Sequence, residues 1–372
     1  METMFLFFMP IDFDIHRFRP SSYLKFAFPL LLLLLSACSE PLPPPPDYDI
    51  ACYAATYANG VYRTDNGGKS WFPVDMDQDE LQYYFKKLYL DPWDENTIYI
   101  TTTAGGLFRM NLKEGTLEKL RIPKDKTVNS MAFLSVASDG ENKEAVVGFK
   151  DGGVSKAHGA FQSWQPINEG LTYHDVNVLY GDRRSLYAGT DRDLFKYDDG
   201  RKRWISKSIG IKNKNIVSIG AATDGKTVYS GAGRYGDRKG YFEKIPCFYK
   251  SVDGGEAWKA SDTGIPDGTL VYVIALNPSK PERIHIGTSD GVYRSTDAGK
   301  NWVKMEEGLP RDFKPLNIKT APMEDGSTVV YAVGSRGIFM TVDDDTTRWV
   351  NKSYGLEPTT ITSVIILPRE GI

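Results

Sequence analysis

From Asp49 onward the 372-residue chain repeats itself, and the repeat limits its fold more than any other feature. The clearest units are FYKSVDGGEAW (248–258) and VYRSTDAGKNW (292–302). VYRTDNGGKSW (61–71) differs mainly in placing Asn66 where the other two have Asp253 and Asp297. Weaker copies occupy 153–164, 193–204 and 337–349, and a further copy from Gly105 has Leu117 at the position of the final Trp. Six of the seven Trp residues (Trp71, Trp164, Trp204, Trp258, Trp302 and Trp349) thus share one repeat position. A shared indole position implies a shared packing role between neighbouring units.

Each unit has two apolar segments upstream of this motif. The nearer ones are 51–56, 98–103, 144–149, 186–190, 228–232, 284–288 and 330–334. The farther ones are 86–90, 130–136, 176–180, 216–220, 271–276, 316–321 and 362–367. Short β-rich runs with Gly-rich turns and no helical period predict an all-β chain. Four strands in roughly 46 residues is the dimension of a propeller blade. The repeat starts on a second strand at Ala51 and ends on an orphan first strand, Thr362–Leu367. Pairing these two closes the ring and removes an exposed edge. The expected architecture is a single seven-bladed β-propeller over 49–372.

The motif Ser/Thr-x-Asp-x-Gly-x-x-Trp resembles the Asp-box of BNR-repeat propellers. On that resemblance Thr64, Asn66, Gly68 and Trp71 form one structural turn. Ser251, Asp253, Gly255 and Trp258 form a second, and Ser295, Asp297, Gly299 and Trp302 a third. Ser and Asp side chains bond nearby amides in such turns, and Gly permits the backbone angle they need. The resemblance places these turns between third and fourth strands, away from the usual binding face, so they carry fold rather than chemistry.

Residues 1–37 read as an export signal. FAFPLLLLLLSA (26–37) is too short to span a ~30 Å hydrocarbon core and follows Arg17, Arg19 and Lys25. Leu35-Ser36-Ala37-Cys38 resembles a bacterial lipobox, which implies a diacylglycerol on Cys38 as the membrane anchor. Ser39 after it favours outer-membrane sorting, by the same analogy, with the domain facing the periplasm or the cell surface. Residues 38–48, rich in proline, are expected to form a polyproline II stalk at ~3.1 Å per residue.

With 45 basic and 48 acidic residues the chain lacks the basic field of a nucleic-acid binder. No cofactor or metal site is expected from four His and three Cys. Cys52 and Cys247 fall in distant blades and should be unpaired. Asp75-Met76-Asp77-Gln78-Asp79 begins like a calcium loop, but Glu80 replaces the required Gly and Lys86 stands where the closing Glu should be. GTSDG (287–291) is a repeat loop, not a nucleophile elbow. His174 beside Asp175 is read as a loop histidine rather than as half of an acid–base pair.

Ligand binding is expected opposite the Asp-box turns, where second strands join third strands and each blade joins the next. The insertion at 233–246 brings Arg234, Tyr235, Arg238 and Tyr241 to that face. Tyr84, Tyr173, His174, Arg192, Arg311 and Arg336 fall in equivalent loops. Arg with Tyr is a common hot-spot pairing on loops of a rigid scaffold. Sialidases have six blades and place Arg-Ile-Pro in the first, whereas Arg121-Ile122-Pro123 follows a fourth strand here. Xyloglucanase-type hydrolases pair two propellers around a cleft, with one catalytic Asp from each. The single propeller therefore looks more similar to the photosystem II assembly and stability factors and to sortilin-type peptide binders. The sequence reading is a lipid-anchored, non-catalytic scaffold for a protein or peptide partner, with a glycan-active or glycan-binding module as the alternative.

Overall fold

The computed structural model describes residues 42–76, 84–103, 105–123, 126–134, 143–234, 245–357 and 359–367. Their strands form seven four-stranded antiparallel sheets, and no helix occurs among the described residues. The chain is a seven-bladed β-propeller. The first strands of successive blades lie side by side around a central channel. From blade 1 to blade 7 these are Ile361–Ile366, Phe85–Asp91, Thr127–Phe133, Val176–Gly181, Ile216–Ala221, Val271–Leu276 and Pro315–Pro322. Ile361–Ile366 pairs with Cys52–Thr56, in register Cys52 with Ile366 and Ala54 with Val364. Blade 1 therefore holds both ends of the repeat region, and its closing strand covers an edge that would otherwise lie open.

The buried apolar residues divide into seven clusters, one between each pair of neighbouring blades. Every repeat Trp lies in the cluster its blade shares with the preceding one. The interface of blades 1 and 2, where Leu117 stands in for Trp, is filled by Phe85, Phe108 and Met110. Four indole N–H groups also donate to the preceding blade: Trp71 to Lys352 O (2.6 Å), Trp204 to Ile167 O (2.6 Å), Trp258 to Lys207 O and Trp302 to Ser261 O (2.7 Å each). Just beyond the acceptor in each case comes a glycine with positive φ, such as Gly264 (φ 95°) or Gly210 (φ 91°). A Cβ on Gly264 would lie 2.2 Å from the backbone oxygen of Trp302. Glycine is required here twice, for its dihedral and for its missing side chain.

The repeated turns are hydrogen-bonded as their residue types suggest. Gly255 N donates to Ser251 Oγ (2.9 Å) and Ala257 N to Asp253 Oδ1 (3.1 Å). Gly299 N donates to Ser295 Oγ (2.8 Å) and Asn301 N to Asp297 Oδ1 (2.9 Å). Asn66 serves in place of Asp, its Oδ1 accepting from Ser70 N (3.0 Å), while Gly68 N donates to Thr64 Oγ1 (3.0 Å). All three turns end blade strands on the face opposite the loops that join blades.

The expected signal, with Cys38, lies outside the described residues. The part of the proline-rich stretch that is described lies along blade 7. Leu42 N donates to Glu307 Oε1 (2.6 Å), Arg348 N to Pro43 O (3.0 Å) and Lys352 Nζ to Asp47 Oδ1 (2.9 Å). Cys52 and Cys247 are buried and are not joined in a disulfide.

Between blades 6 and 7 a buried polar group adds electrostatics to this packing. His285, fully buried, lies 3.5 Å from Asp343, which also accepts from Arg283 Nε (2.9 Å) and Asn277 Nδ2 (2.6 Å). Burial pushes the imidazole pKa down to about 4; nearby Arg294 and Arg283 reinforce this and Asp343 opposes it. The folded state thus holds His285 neutral. That stability is complete above the unfolded value of 6.5 and is lost as pH falls through about 4.

Two outcomes follow. The melting temperature should drop between pH 6.5 and 4, and His285→Leu should flatten that drop in a pH series of thermal melts. Gly264→Ala should cost at least about 2 kcal/mol by denaturant unfolding, because strain and a backbone clash coincide. Gly268→Ala, at φ 76° in open space, should cost about half that, since only its dihedral is strained.

Candidate functional site

The inner strands share an irregularity near their N-terminal ends. In every blade the pairing with the second strand skips one residue. The skipped residues, from blade 1 to blade 7, are Thr362, Lys86, Asn129, Asn177, Val217, Tyr272 and Leu316. A bulge of this kind turns a side chain out of the ladder and sharpens the local twist. Repeated seven times, it sets a ring of side chains at the mouth of the channel, on the face of the blade-joining loops.

The ring has two halves of different chemistry. Blades 1 to 4 supply polar residues, several of which clasp the next blade. Thr362 Oγ1 donates to Phe85 O (3.0 Å), Asn129 Nδ2 to Val176 O (3.0 Å) and Asn177 Nδ2 to Ile216 O (3.1 Å). Lys86 Nζ donates to Asn129 Oδ1 (2.9 Å). Blades 5 to 7 supply Val217, Tyr272 and Leu316, the last two exposed. An exposed aromatic and an exposed Leu side by side give this half of the mouth an apolar rim.

Asp175 immediately precedes the inner strand of blade 4 and is half-buried. Its neighbours Asp151 and Asp191 come from the loops joining second and third strands of blades 3 and 4. Burial raises the Asp175 pKa above the usual carboxylate range; the charges of Asp151 and Asp191 raise it further, against Lys150 and Lys86. Lys86 in turn is pushed down to about 8 by burial and by the adjacent charge of Lys87. Asp151 has φ 54°, a left-handed conformation uncommon outside glycine. Its carboxylate is exposed and accepts no hydrogen bond among the described residues. Asp191, by contrast, is engaged by Arg192 Nε (3.2 Å). The mouth therefore combines a half-buried carboxyl group whose pKa is raised with a second, exposed carboxylate that accepts no hydrogen bond among the described residues.

Aromatic rings flank this group. Tyr57 and Tyr84 stack with centroids 4.7 Å apart, and both are exposed. Tyr173 lies under the Arg192 guanidinium, 5.9 Å from ring centroid to Cζ. Of the residues expected on this face, Tyr84, Tyr173, His174, Arg192, Arg234, Arg311 and Arg336 lie in loops that leave the blades on the side of the mouth. Tyr235, Arg238 and Tyr241 lie outside the described residues. Arg336 is tied to Asp312, and His174 uses its carbonyl to accept from Gly152 N and Gly153 N. The sequence reading set Asp175 aside with His174 and did not single out Asp151, Tyr57 or Tyr272. A usable signal was present: the adjacent polar or apolar pairs Lys86-Lys87 and Val271-Tyr272 break strand alternation at the same repeat position.

No family model matches the chain. A curated xyloglucanase of Acetivibrio thermocellus is 25% identical over 266 residues, covering 67% of this chain and 28% of that protein. A xyloglucanase of Hypocrea jecorina is 23% identical over 261 residues and is covered to the same 28%. Among solved structures, a GH74 enzyme of Niastella koreensis superposes with a TM-score of 0.64 at 17% identity, covering 82% of this chain and 53% of that one. YCF48 bound to D1 peptide superposes with a TM-score of 0.54 at 11% identity, covering 79% and 90%. Both superpositions carry the fold alone. The chain spans about a quarter of the curated relatives it matches and about half of the GH74 structure. These sequence relatives correct the expectation of a non-catalytic, protein-binding scaffold: the curated proteins that match are glycan hydrolases.

The raised Asp175 carboxyl has a stability signature. Its ionised form is disfavoured in the folded state, so near neutral pH it lowers stability, and that cost vanishes once the group is protonated. Asp175→Asn should therefore raise the melting temperature at pH 7 and leave it nearly unchanged at pH 3.

Proposed function

We propose that this propeller is a glycan-active module that takes a β-glucan backbone of the xyloglucan type at the channel mouth. The observation that carries the reading is Asp175, a carboxyl with a raised pKa beside the free carboxylate of Asp151 and between exposed tyrosines. Glycoside hydrolysis uses two carboxyl groups held in different protonation states. In this reading Asp175 gives its proton to the leaving oxygen as the bond from C1 to that oxygen breaks. Asp151 takes a proton from the water whose oxygen forms the new bond to C1. Lys86 and Lys150 then face the newly charged Asp175 carboxylate and steady it.

The Tyr57–Tyr84 stack, Tyr173 and Tyr272 offer flat faces to sugar rings. The sequence similarity to xyloglucanases supports the choice of substrate class. The xyloglucanase-type enzymes to which the repeat is similar close their cleft with a second propeller. Here the mouth of one propeller would provide both carboxylates. A lipid on Cys38 would hold the module at the bacterial envelope.

Reducing-sugar release and calorimetric binding on xyloglucan, mixed-linkage β-glucan, soluble cellulose and a xylan test this directly. The expected result is turnover of xyloglucan that Asp175→Asn and Asp151→Asn each lower by at least about a hundredfold. Tyr84→Ala should weaken binding about tenfold with a smaller effect on turnover number. A folded, purified chain that neither binds nor cleaves any of the four polymers would overturn the reading.

A further inference from the structure

At the opposite end of the channel the inner strands enclose a second cavity, of about 610 Å³. Its wall is built from the inner strands of four blades, with Pro278 of blade 6 beside them. Leu88 and Leu90, Phe133, Pro322 and Met323, and Ile366 form most of it. It opens on the face of the Ser-x-Asp turns, away from Asp175. This size suits a small-molecule ligand, for which pockets of roughly 300–1,000 Å³ are usual.

One charged side chain lines this apolar cavity, that of Lys319. It is accessible to the channel water yet has no hydrogen bond or ion pair among the described residues. Lys87, on the inner strand of blade 2 and separated from that of blade 7 by the closing strand of blade 1, still lies close enough for its charge to act on Lys319, and it too has no partner among the described residues. Enclosure by the channel wall lowers the pKa of both amines. The only acidic residue on the seven inner strands is Asp91. That carboxylate is buried and already accepts from Trp93 N (2.8 Å) and Tyr99 Oη (3.2 Å). Lys319 is exposed and Lys87 half-buried, and two like charges this close without a counter-charge among the described residues repel each other, which an anion from solution would relieve. The walls around them would disfavour a small hydrated anion and favour one that brings an apolar body.

We propose that this cavity binds an amphiphilic carboxylate, an aliphatic chain seated against Leu90, Phe133, Met323 and Ile366 with its headgroup on Lys319 and Lys87. The apolar wall lies at the other end of the channel from Asp175, and Lys87, the chain neighbour of Lys86, sits between the two ends. Its occupant is set by two features together, the apolar wall and the unneutralised cations.

Isothermal titration of the full chain with dodecanoate and, separately, with dodecanol tests the proposal. Dodecanoate should bind saturably, one per chain, and at least tenfold more tightly than the alcohol. Lys319→Met should remove that preference while leaving alcohol binding within about twofold, and Lys319→Arg should keep it. Asp175→Asn should bind dodecanoate like the wild type, so that failure of the glycan reading and failure of this one are told apart. Equal affinity for acid and alcohol, an unchanged preference in Lys319→Met, or no saturable binding of dodecanoate would each overturn the proposal. A thermal melt of each variant confirms that the ring is intact.

Discussion

The contact on which the rest of this molecule depends is the one between the repeat Trp of a blade and the backbone of the blade before it. The described fold has no single core. Its apolar interior is seven slabs, each shared by two neighbours, and a blade by itself would leave both of its faces open. The indole fills the slab and its N–H fixes the preceding blade's carbonyl, so packing and orientation are set by one side chain. The glycine beyond that carbonyl then lets the two backbones meet at a distance no side chain would allow. A rigid ring results, and a rigid ring is what a mouth built from seven loops and seven bulges needs.

Much of this was legible in the sequence because it recurs. A turn such as Ser251-Val-Asp253-Gly-Gly255 states its own hydrogen bonds, and six Trp in phase state a shared packing role. Strand phase also revealed the closure of blade 1 by the segment that became Ile361–Ile366. What did not recur was harder to read. Asp175 matters through the company of Asp151 and Asp191, which come from two other loops, and no spacing in the sequence brings the three together. Tyr57 and Tyr84 likewise belong to different blades and stack only because blades 1 and 2 are adjacent. The seven bulges lie between these cases: they recur, but as a one-residue slip in alternation that is easily lost inside short strands.

The functional reading shifted for a related reason. A single propeller had been weighed against two-propeller hydrolases and found short of them by architecture. Architecture, however, is the property that unrelated activities share most freely. The chemistry at the mouth is a separate matter. A carboxyl group whose pKa is raised by burial and by like charges is a specific arrangement, of the kind that clusters at functional sites whatever the number of domains around it. The two ends of the channel differ as well: tyrosines and carboxylates guard one, while leucines, a phenylalanine and a single lysine line the other.

The closure of blade 1 also bears on how the molecule assembles. Ala54 and Val364 are direct partners across a sheet although some three hundred residues separate them along the chain. Until Ile361–Ile366 is made, blade 1 is a three-stranded sheet with its inner edge bare, and its slab against blade 7 is unfinished. The last strand to emerge is thus the one that locks the first. A chain stalled before it would present a hydrogen-bonding edge to its neighbours, and late truncations would be met by aggregation rather than by a smaller, six-bladed fold.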